Sequence, residues 1–159
     1  MGAVGKVNKL DRVLAKMQGK RVYFDTAPLI YAIENVTGYA QYSIPFFRAS
    51  EERQLFGFTG AITLSEMLVK PMRDRNAEVV ARIKGLFESE DIFTCVNHSR
   101  EAYVLAAELR AMRKLKMVDA LQCATAICLN CDFFVTNDFK FRTSSTLEVV
   151  CIDDLVARS

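Results

Sequence analysis

Four acidic residues stand in this sequence where an apolar strand pattern ends or where the following helical pattern begins. They are Asp25, Glu66, Asp119 and Asp138. Ligands of open α/β sheets bind at the carboxyl ends of the strands, so we expect these four carboxylates to converge on one edge. Like charges at close range need compensation, and the sequence places no Lys or Arg at the equivalent strand ends. Because all-oxygen ligands favour Mg²⁺ or Mn²⁺, the pattern predicts metal-dependent phosphoryl chemistry.

Each of these acids also has a purely structural explanation. Asp25 could cap the helix that follows it, and the stretch Thr63-Leu64-Ser65-Glu66 matches a capping box. Asp119 would complement a helix dipole, and Asn137-Asp138 could form a turn. Only the ordered set of four favours a shared site over four separate structural roles.

The elements that must position the acids alternate between strand and helix patterns. Apolar strand patterns occupy residues 21–25, 57–62 and 133–136, with weaker ones at 92–96 and 147–152. Helical patterns occupy residues 27–35, 42–54, 63–70, 76–89, 98–113 and 118–130, and Pro71 is expected to end the 63–70 helix. The strands are apolar on both faces, which is typical of a covered parallel sheet. The alternation predicts an α/β fold with three layers, α/β/α, around a central parallel sheet of four to five strands.

The length of 159 residues and the 51% hydrophobic content predict one globular domain, residues 21–159, with residues 1–20 as a basic helical extension. Residues 1–21 carry six Lys or Arg and one acid, for a net charge of +5, whereas the rest has a net charge of −3. A basic segment is compatible with a nucleic-acid ligand and equally with a solvated helix. Without a long apolar run or a secretion signal, we expect a cytoplasmic protein with no membrane association.

The five cysteines are expected to be free and mostly buried. Their number is odd, and Cys128 and Cys131 form a C-x-x-C near the predicted end of a helix. The helix dipole disfavours a thiolate at that end. A zinc site would need ligands from elsewhere, and His98 is the only histidine in the chain. A redox or zinc role is therefore not expected.

Three stretches, in this order, resemble the PIN domain family and particularly its VapC-type toxin ribonucleases. They read YFDTAPLIYAIE, ITLSEMLVKP and MVDALQCATAICLNCDFFVTNDFKF, and the resemblance spans residues 21–156. It implies a parallel sheet flanked by helices and an endoribonuclease that depends on Mg²⁺ or Mn²⁺. It also implies that Asp25, Glu66, Asp119 and Asp138 form the acidic site, as catalytic residues and metal ligands, and that Thr136 lines the same site.

Positive charge beside the acids could bind the phosphates of an RNA substrate. The candidates before Asp119 are Arg110, Arg113, Lys114 and Lys116, and those after the Glu66 helix are Lys70, Arg73 and Arg75. A solvated helix end explains these charges as well. Four aromatic residues could stack on bases, although Tyr31 is also a candidate for the core: Tyr31, Tyr39, Tyr42 and Phe139.

The resemblance further implies a homodimer and a small antitoxin protein that inserts a segment into the acidic groove. Apolar residues near the first predicted helices could contribute to such surfaces or could equally belong to the core. They are Leu29, Ile30, Ile33, Phe46 and Phe47.

Three other functional classes are alternatives to a metal-dependent nuclease. A phosphatase or dehalogenase-like hydrolase needs a second acid two residues after Asp25, where this chain has Ala27. A phospho-receiver domain needs a pair of acids at the first strand, and only Asp25 is present there. A non-catalytic PIN-type protein that binds RNA or acts as a scaffold remains the alternative.

Overall fold

The computed structural model describes residues 8–138 and 147–156, so Phe139 and the first residues of the basic segment lie outside the described residues. Five parallel strands form one sheet in the order β3-β2-β1-β4-β5. Their bounds are β1 Arg21–Phe24, β2 Phe56–Gly60, β3 Thr94–Val96, β4 Phe133–Thr136 and β5 Glu148–Cys151. The predicted parallel sheet is confirmed, and the strand that precedes Asp25 is its central strand.

Helices cover both faces of this sheet, which confirms the three-layer α/β/α architecture. They are α1 Lys9–Lys16, α2 Thr26–Ile33, α3 Ala40–Glu51, α4 Ala61–Arg73, α5 Ala77–Ser89, α6 Arg100–Met112 and α7 Met117–Cys128, and a short 3-10 helix follows at Ile152–Asp154. None of the helices in the described part of the chain is long and apolar enough to cross a membrane.

The two faces of the sheet have different cores because successive side chains of a strand point to opposite faces. Phe24 lies on the face covered by α1 to α5, among large apolar side chains such as Phe46 and Phe87. Tyr23 lies on the other face, where it stacks on Phe134 at 5.6 Å between ring centroids. There α6 and α7 supply small side chains, including five fully buried alanines: Ala102, Ala106, Ala120, Ala124 and Ala126. Small side chains let these two helices pack closely against the sheet and each other.

The helix that carries Glu66 begins earlier and ends later than predicted. Strand β2 passes directly into α4, with Gly60 as the N-cap, so Glu66 lies in the second turn rather than at the helix start. The capping-box explanation is therefore wrong, because Thr63 is inside the helix and its hydroxyl has other partners. Pro71 does not end the helix either. Proline removes one N–H and crowds the carbonyl four residues earlier, yet α4 continues for two more residues to Arg73, and Asp74 N donates to Lys70 O at 2.9 Å.

The N-terminal basic segment contains the predicted helix. Asn8 caps α1 by accepting a hydrogen bond from Asp11 N at 2.8 Å. Leu10, Val13 and Leu14 pack partly buried against the core, and Met17, just after the helix, is fully buried. The described part of this segment is thus attached to the sheet domain through its apolar face.

All five cysteines are free, as predicted. Burial raises the pKa of Cys131 to about 12 and that of Cys123 to about 11, and it also raises the pKa of Cys128. Thiols with such pKa values stay protonated at neutral pH, which disfavours metal ligation and redox exchange. These cysteines act as small apolar residues of the core.

Candidate functional site

Asp25 lies at the carboxyl end of the central strand and is buried, with 8% of its surface exposed. Its Oδ1 accepts a hydrogen bond from Thr26 N at 2.8 Å, and its Oδ2 accepts one from Thr136 Oγ1 at 2.7 Å. It is also the N-cap residue of α2. Both carboxylate oxygens are therefore oriented, one by its own helix and one by the neighbouring strand β4.

The pKa of Asp25 is raised to about 6. Burial is the largest cause, because it penalises the charged form. The two hydrogen bonds act in the opposite direction, whereas the charges of Asp119 and Glu66 raise the pKa further. Asp25 thus lies near two other carboxylates, in an environment that would favour a neutralising cation.

Glu66 is linked to the same region by the hydroxyl of Thr26, the first residue of α2. Its Oε1 accepts a hydrogen bond from Thr26 Oγ1 at 2.7 Å. Thr26 itself is buried, and its backbone N–H is the donor to Asp25. One residue therefore donates to two of the four predicted site acids, from its backbone to one and from its side chain to the other.

The third predicted element of the site is the stretch after β4. Thr136 is fully buried and donates to Asp25, and its Oγ1 accepts a hydrogen bond from Asp138 N at 3.1 Å. Asn137 has a structural role: its Nδ2 donates to Tyr31 Oη at 2.9 Å, and its Oδ1 accepts from a backbone N–H after β5 at the same distance. Asp138 is thereby fixed by its backbone beside the residue that holds Asp25.

The chemistry of these acids fits Mg²⁺ or Mn²⁺, because every side-chain atom that could ligate a metal is an oxygen and the nearby charges are negative. The fit is incomplete in geometry. Within the described residues, no three His, Cys, Asp or Glu side chains are already grouped closely enough to hold a metal ion. Asp119 lies in the first turn of α7 and is near enough to influence the pKa of Asp25. The structure brings the acids into one region without closing them into a coordination shell.

The predicted substrate cations lie at the end of α6 and in the link to α7. Arg110 is in the last turn of α6, and its Nε donates to Leu115 O at 3.2 Å, so part of its side chain supports this link. Lys114 and Lys116 are exposed, and Arg113 is half-buried. Lys116 is the residue that precedes α7, three positions before Asp119.

The remaining candidates for RNA or partner contacts are distributed between surface and core. Tyr31 and Tyr39 are partly buried and stack on each other at 4.6 Å between ring centroids. Tyr42 is also partly buried against the core. The apolar candidates for partner surfaces divide in the same way, since Leu29, Phe46 and Phe47 are buried and Ile30 and Ile33 are partly buried.

Three polar residues beside the acids were missed by the sequence analysis: Thr26, Thr63 and Gln122. They are 7%, 0% and 0% exposed, respectively. Thr26 directly follows Asp25. Thr63 lies three residues before Glu66 and Gln122 three residues after Asp119, a spacing of about one helical turn. A search for polar residues at those two spacings would have found them.

The fold is an open parallel α/β/α sheet, and its carboxylates lie beside the end of the central strand. Proteins of this class bind their ligands at that edge of the sheet. The PIN domain family model matches residues 22–145 of this chain. The chain therefore belongs to the PIN domain family. No curated protein sequence matches it significantly.

Several solved structures share the fold at low sequence identity. VapBC2 from Rickettsia felis, bound to a DNA fragment from its promoter, is 18% identical, with a TM-score of 0.65, over 82% of this chain and 98% of that chain. A toxin-antitoxin complex from Klebsiella pneumoniae is 23% identical, with a TM-score of 0.61, over 82% and 97%. VapC20 from Mycobacterium tuberculosis, described as a toxin that cleaves the Sarcin-Ricin loop, is 14% identical, with a TM-score of 0.64, over 80% and 98%.

Proposed function

We propose that this protein is a metal-dependent endoribonuclease that hydrolyses RNA phosphodiester bonds with an activated water. The observation that supports this most directly is Asp25, a buried carboxyl at the end of the central strand whose pKa is raised by burial and by two neighbouring acids. Such a group is costly unless a cation compensates it. Membership of the PIN family, together with the fold shared with VapC20, a toxin that cleaves the Sarcin-Ricin loop, supports RNA as the substrate class.

In this proposal Asp25, Asp119 and Asp138 hold Mg²⁺ or Mn²⁺, directly or through water. The cation would lower the pKa of a bound water and offset charge on the scissile phosphate. Glu66, oriented by Thr26, completes the site or takes the proton of the attacking water. Thr136 holds the Asp25 carboxylate in place by donating to Oδ2.

The exposed cations beside α7 would bind the RNA backbone on one side of the site. Lys114 and Lys116 are exposed, whereas part of Arg110 is occupied by its hydrogen bond to Leu115 O, so we assign the two lysines the larger share of this binding. Arg113 and Arg110 complete the group. Phosphate contacts position a strand without reading its sequence, so these residues would set affinity rather than the choice of RNA.

We further propose that the protein is a homodimer and the toxin of a toxin-antitoxin pair. The support is the fold shared with the toxin-antitoxin complexes of Rickettsia felis and Klebsiella pneumoniae. Size-exclusion chromatography with light scattering tests the dimer. Co-expression with the product of any small neighbouring gene, followed by purification through a tag on that product, tests the antitoxin.

The decisive experiment is incubation of the purified protein with mixed RNAs in the presence of Mg²⁺, Mn²⁺ or EDTA. We expect cleavage with either cation, none with EDTA, and none with an Asp119→Asn variant of unchanged circular dichroism. Cleavage that persists in EDTA or in the variant would contradict the mechanism. Binding of RNA without cleavage under every condition would favour the non-catalytic RNA-binding or scaffold alternative.

A further inference from the structure

Gln122 is the largest polar side chain that is fully buried beside the acids, and it lies one turn after Asp119 on α7. Its amide contacts residues from three other elements. Oε1 is hydrogen-bonded to Tyr23 Oη, and Nε2 lies 2.6 Å from Thr63 Oγ1 and 3.3 Å from Thr26 Oγ1. We define the Gln122 network by five residues: Tyr23, Thr26, Thr59, Thr63 and Gln122.

The direction of each hydrogen bond in this network follows from its two ends. At one end Phe24 O can only accept, so the hydroxyl of Thr59 donates to it at 2.8 Å. The hydroxyl of Thr63, 2.9 Å from Thr59 Oγ1, must then donate to Thr59. Thr63 Oγ1 is left as an acceptor for an N–H from Gln122.

At the other end the acceptor is the Glu66 carboxylate. An ionised carboxylate can only accept, so the hydroxyl of Thr26 donates to Glu66 Oε1 at 2.7 Å. Thr26 Oγ1 is thereby left as an acceptor for the second N–H of Gln122. With both N–H groups assigned, the amide oxygen faces Tyr23, whose hydroxyl donates to it. Every side-chain proton in the network has one acceptor.

This arrangement links the elements that carry three of the four acids. Tyr23 belongs to β1, Thr26 begins α2 directly after Asp25, and Thr63 shares α4 with Glu66. Buried polar networks with all partners satisfied rigidify their surroundings, and removal of one member leaves the others unsatisfied. The path from Gln122 to Glu66 passes through a single hydroxyl, that of Thr26.

We propose that Gln122 is a positioning residue that, through Thr26, fixes the Glu66 carboxylate relative to Asp25 at the metal and substrate site. The consequence for catalysis rests on the proposed ribonuclease function, whereas the consequence for cation binding does not. Gln122 touches neither substrate nor metal in this proposal. Its replacement should therefore lower the rate and the cation affinity while leaving RNA binding intact.

The test is Gln122→Met, which keeps similar volume and removes both hydrogen-bonding ends. We expect kcat for RNA cleavage to fall by about 10- to 100-fold with KM within about twofold, in line with the loss of orientation rather than binding. The affinity for Mn²⁺, measured by electron paramagnetic resonance of the free ion in the absence of RNA, should fall severalfold. Tyr23→Phe keeps both N–H donors of Gln122 and should show the same changes to a smaller extent.

The matched control is Ser43→Ala on α3. Ser43 is also fully buried, and its hydroxyl has no hydrogen-bond partner among the residues that the structure describes. We expect wild-type kcat and Mn²⁺ affinity. If Gln122→Met does not fold, Tyr23→Phe carries the test by the same two measurements.

The outcomes separate this inference from the proposed function. A folded Gln122→Met variant with wild-type kcat and Mn²⁺ affinity, or with a loss confined to KM, would overturn the positioning role alone. A wild-type protein that binds Mn²⁺ and cleaves no RNA would overturn the ribonuclease proposal. In that case a weaker Mn²⁺ affinity in Gln122→Met would still support the positioning role.

Discussion

The central strand β1 has an aspartate near each of its ends, and the two are held in opposite ways. At the amino end Asp132 is exposed, and its Oδ2 accepts a hydrogen bond from Arg21 N at 2.9 Å. The Arg21 side chain covers this end, with its Nε donating to Leu129 O at 3.0 Å and its guanidinium 4.4 Å from the ring centroid of Phe58. At the carboxyl end Asp25 is buried, and its charged neighbours are acids.

The difference gives a physical criterion for the functional role that we propose for Asp25 and the structural role that we assign to Asp132. Asp132 is exposed, so water reaches its carboxylate, and a backbone N–H donates to it. The environment of Asp25 opposes a charge, through burial and two like charges, and still surrounds it with oriented hydrogen-bond donors. Strongly perturbed carboxyls in such surroundings concentrate at functional sites. The two ends of β1 should therefore differ in function, in electrostatics, in packing and in stability.

The largest expected effect is on catalysis. Asp25→Asn should lower RNA cleavage by at least about 100-fold, because it removes a proposed metal ligand and the charge that the proposed cation would compensate. Asp132→Asn should cleave RNA at the wild-type rate. Initial rates at saturating Mg²⁺ give both values. Equal losses in the two variants would break the distinction between the ends of the strand.

The next effect is on the pH dependence of stability without metal. The pKa of Asp25 is about 6 in the folded state and 3.8 in the unfolded chain, so the folded state binds more protons between these values. The free energy of unfolding should therefore fall as pH rises from about 4 to about 6, by up to about 3 kcal/mol, and then level off. Urea titrations in EDTA at a series of pH values measure this free energy. Asp25→Asn should remove its fall with pH, whereas Asp132→Asn should retain it. A fall that persists in Asp25→Asn would show that another group causes it.

A smaller effect concerns packing at the carboxyl end of β2. A Cβ added at Gly60 would meet the His98 ring and the hydroxyl of Tyr23, so Gly60→Ala should destabilise the fold by about 1–3 kcal/mol. The matched control is Gly85→Ala on α5, where a Cβ has nothing within 4 Å. That variant should gain about 0.5–1 kcal/mol, because alanine favours a helix. Thermal unfolding compares them, and equal effects would indicate that the edge near the acids is not tightly packed.

The smallest effect is at the amino end. Asp132→Ala removes the acceptor of Arg21 N at an exposed position, which should cost about 1 kcal/mol of stability. RNA cleavage should not change. Chemical denaturation and initial rates test the two parts separately. A loss of activity beyond that explained by unfolding would mean that the amino end also contributes to function.

Local sequence patterns were sufficient to predict the sheet and most helices. Apolar strands bounded by helical patterns predicted the parallel architecture, and the helix predicted at 118–130 begins one residue earlier and ends two residues earlier, as α7. The error at α4 came from treating Thr63 and Pro71 as boundary residues. Both disfavour a helix interior, but burial of one face of α4, which includes Thr63, Met67 and Pro71, outweighs their local preferences.

The candidate site was predictable as a set of acids and not as an arrangement. The order and chemistry of the four acids, with Thr136, are readable in the chain, as is the absence of cations at the strand ends. The roles of Thr26 and Gln122 are not, because their hydrogen bonds join residues 40 and 96 positions apart. Periodicity indicates which face of a helix is buried, but it does not indicate which buried polar atoms meet.

The sequence alone thus determined the fold class, the family resemblance and the acids that end up near one edge of the sheet. Only the tertiary structure decided that Asp25 is buried beside Asp119 and Glu66, that Thr26 donates to two carboxylates, and that an amide from α7 fixes that threonine. The physical reason is the separation along the chain over which each property acts. Hydrophobic patterning is a local property of each segment, whereas hydrogen bonds and pKa shifts depend on distances of a few ångströms between segments that only packing brings together.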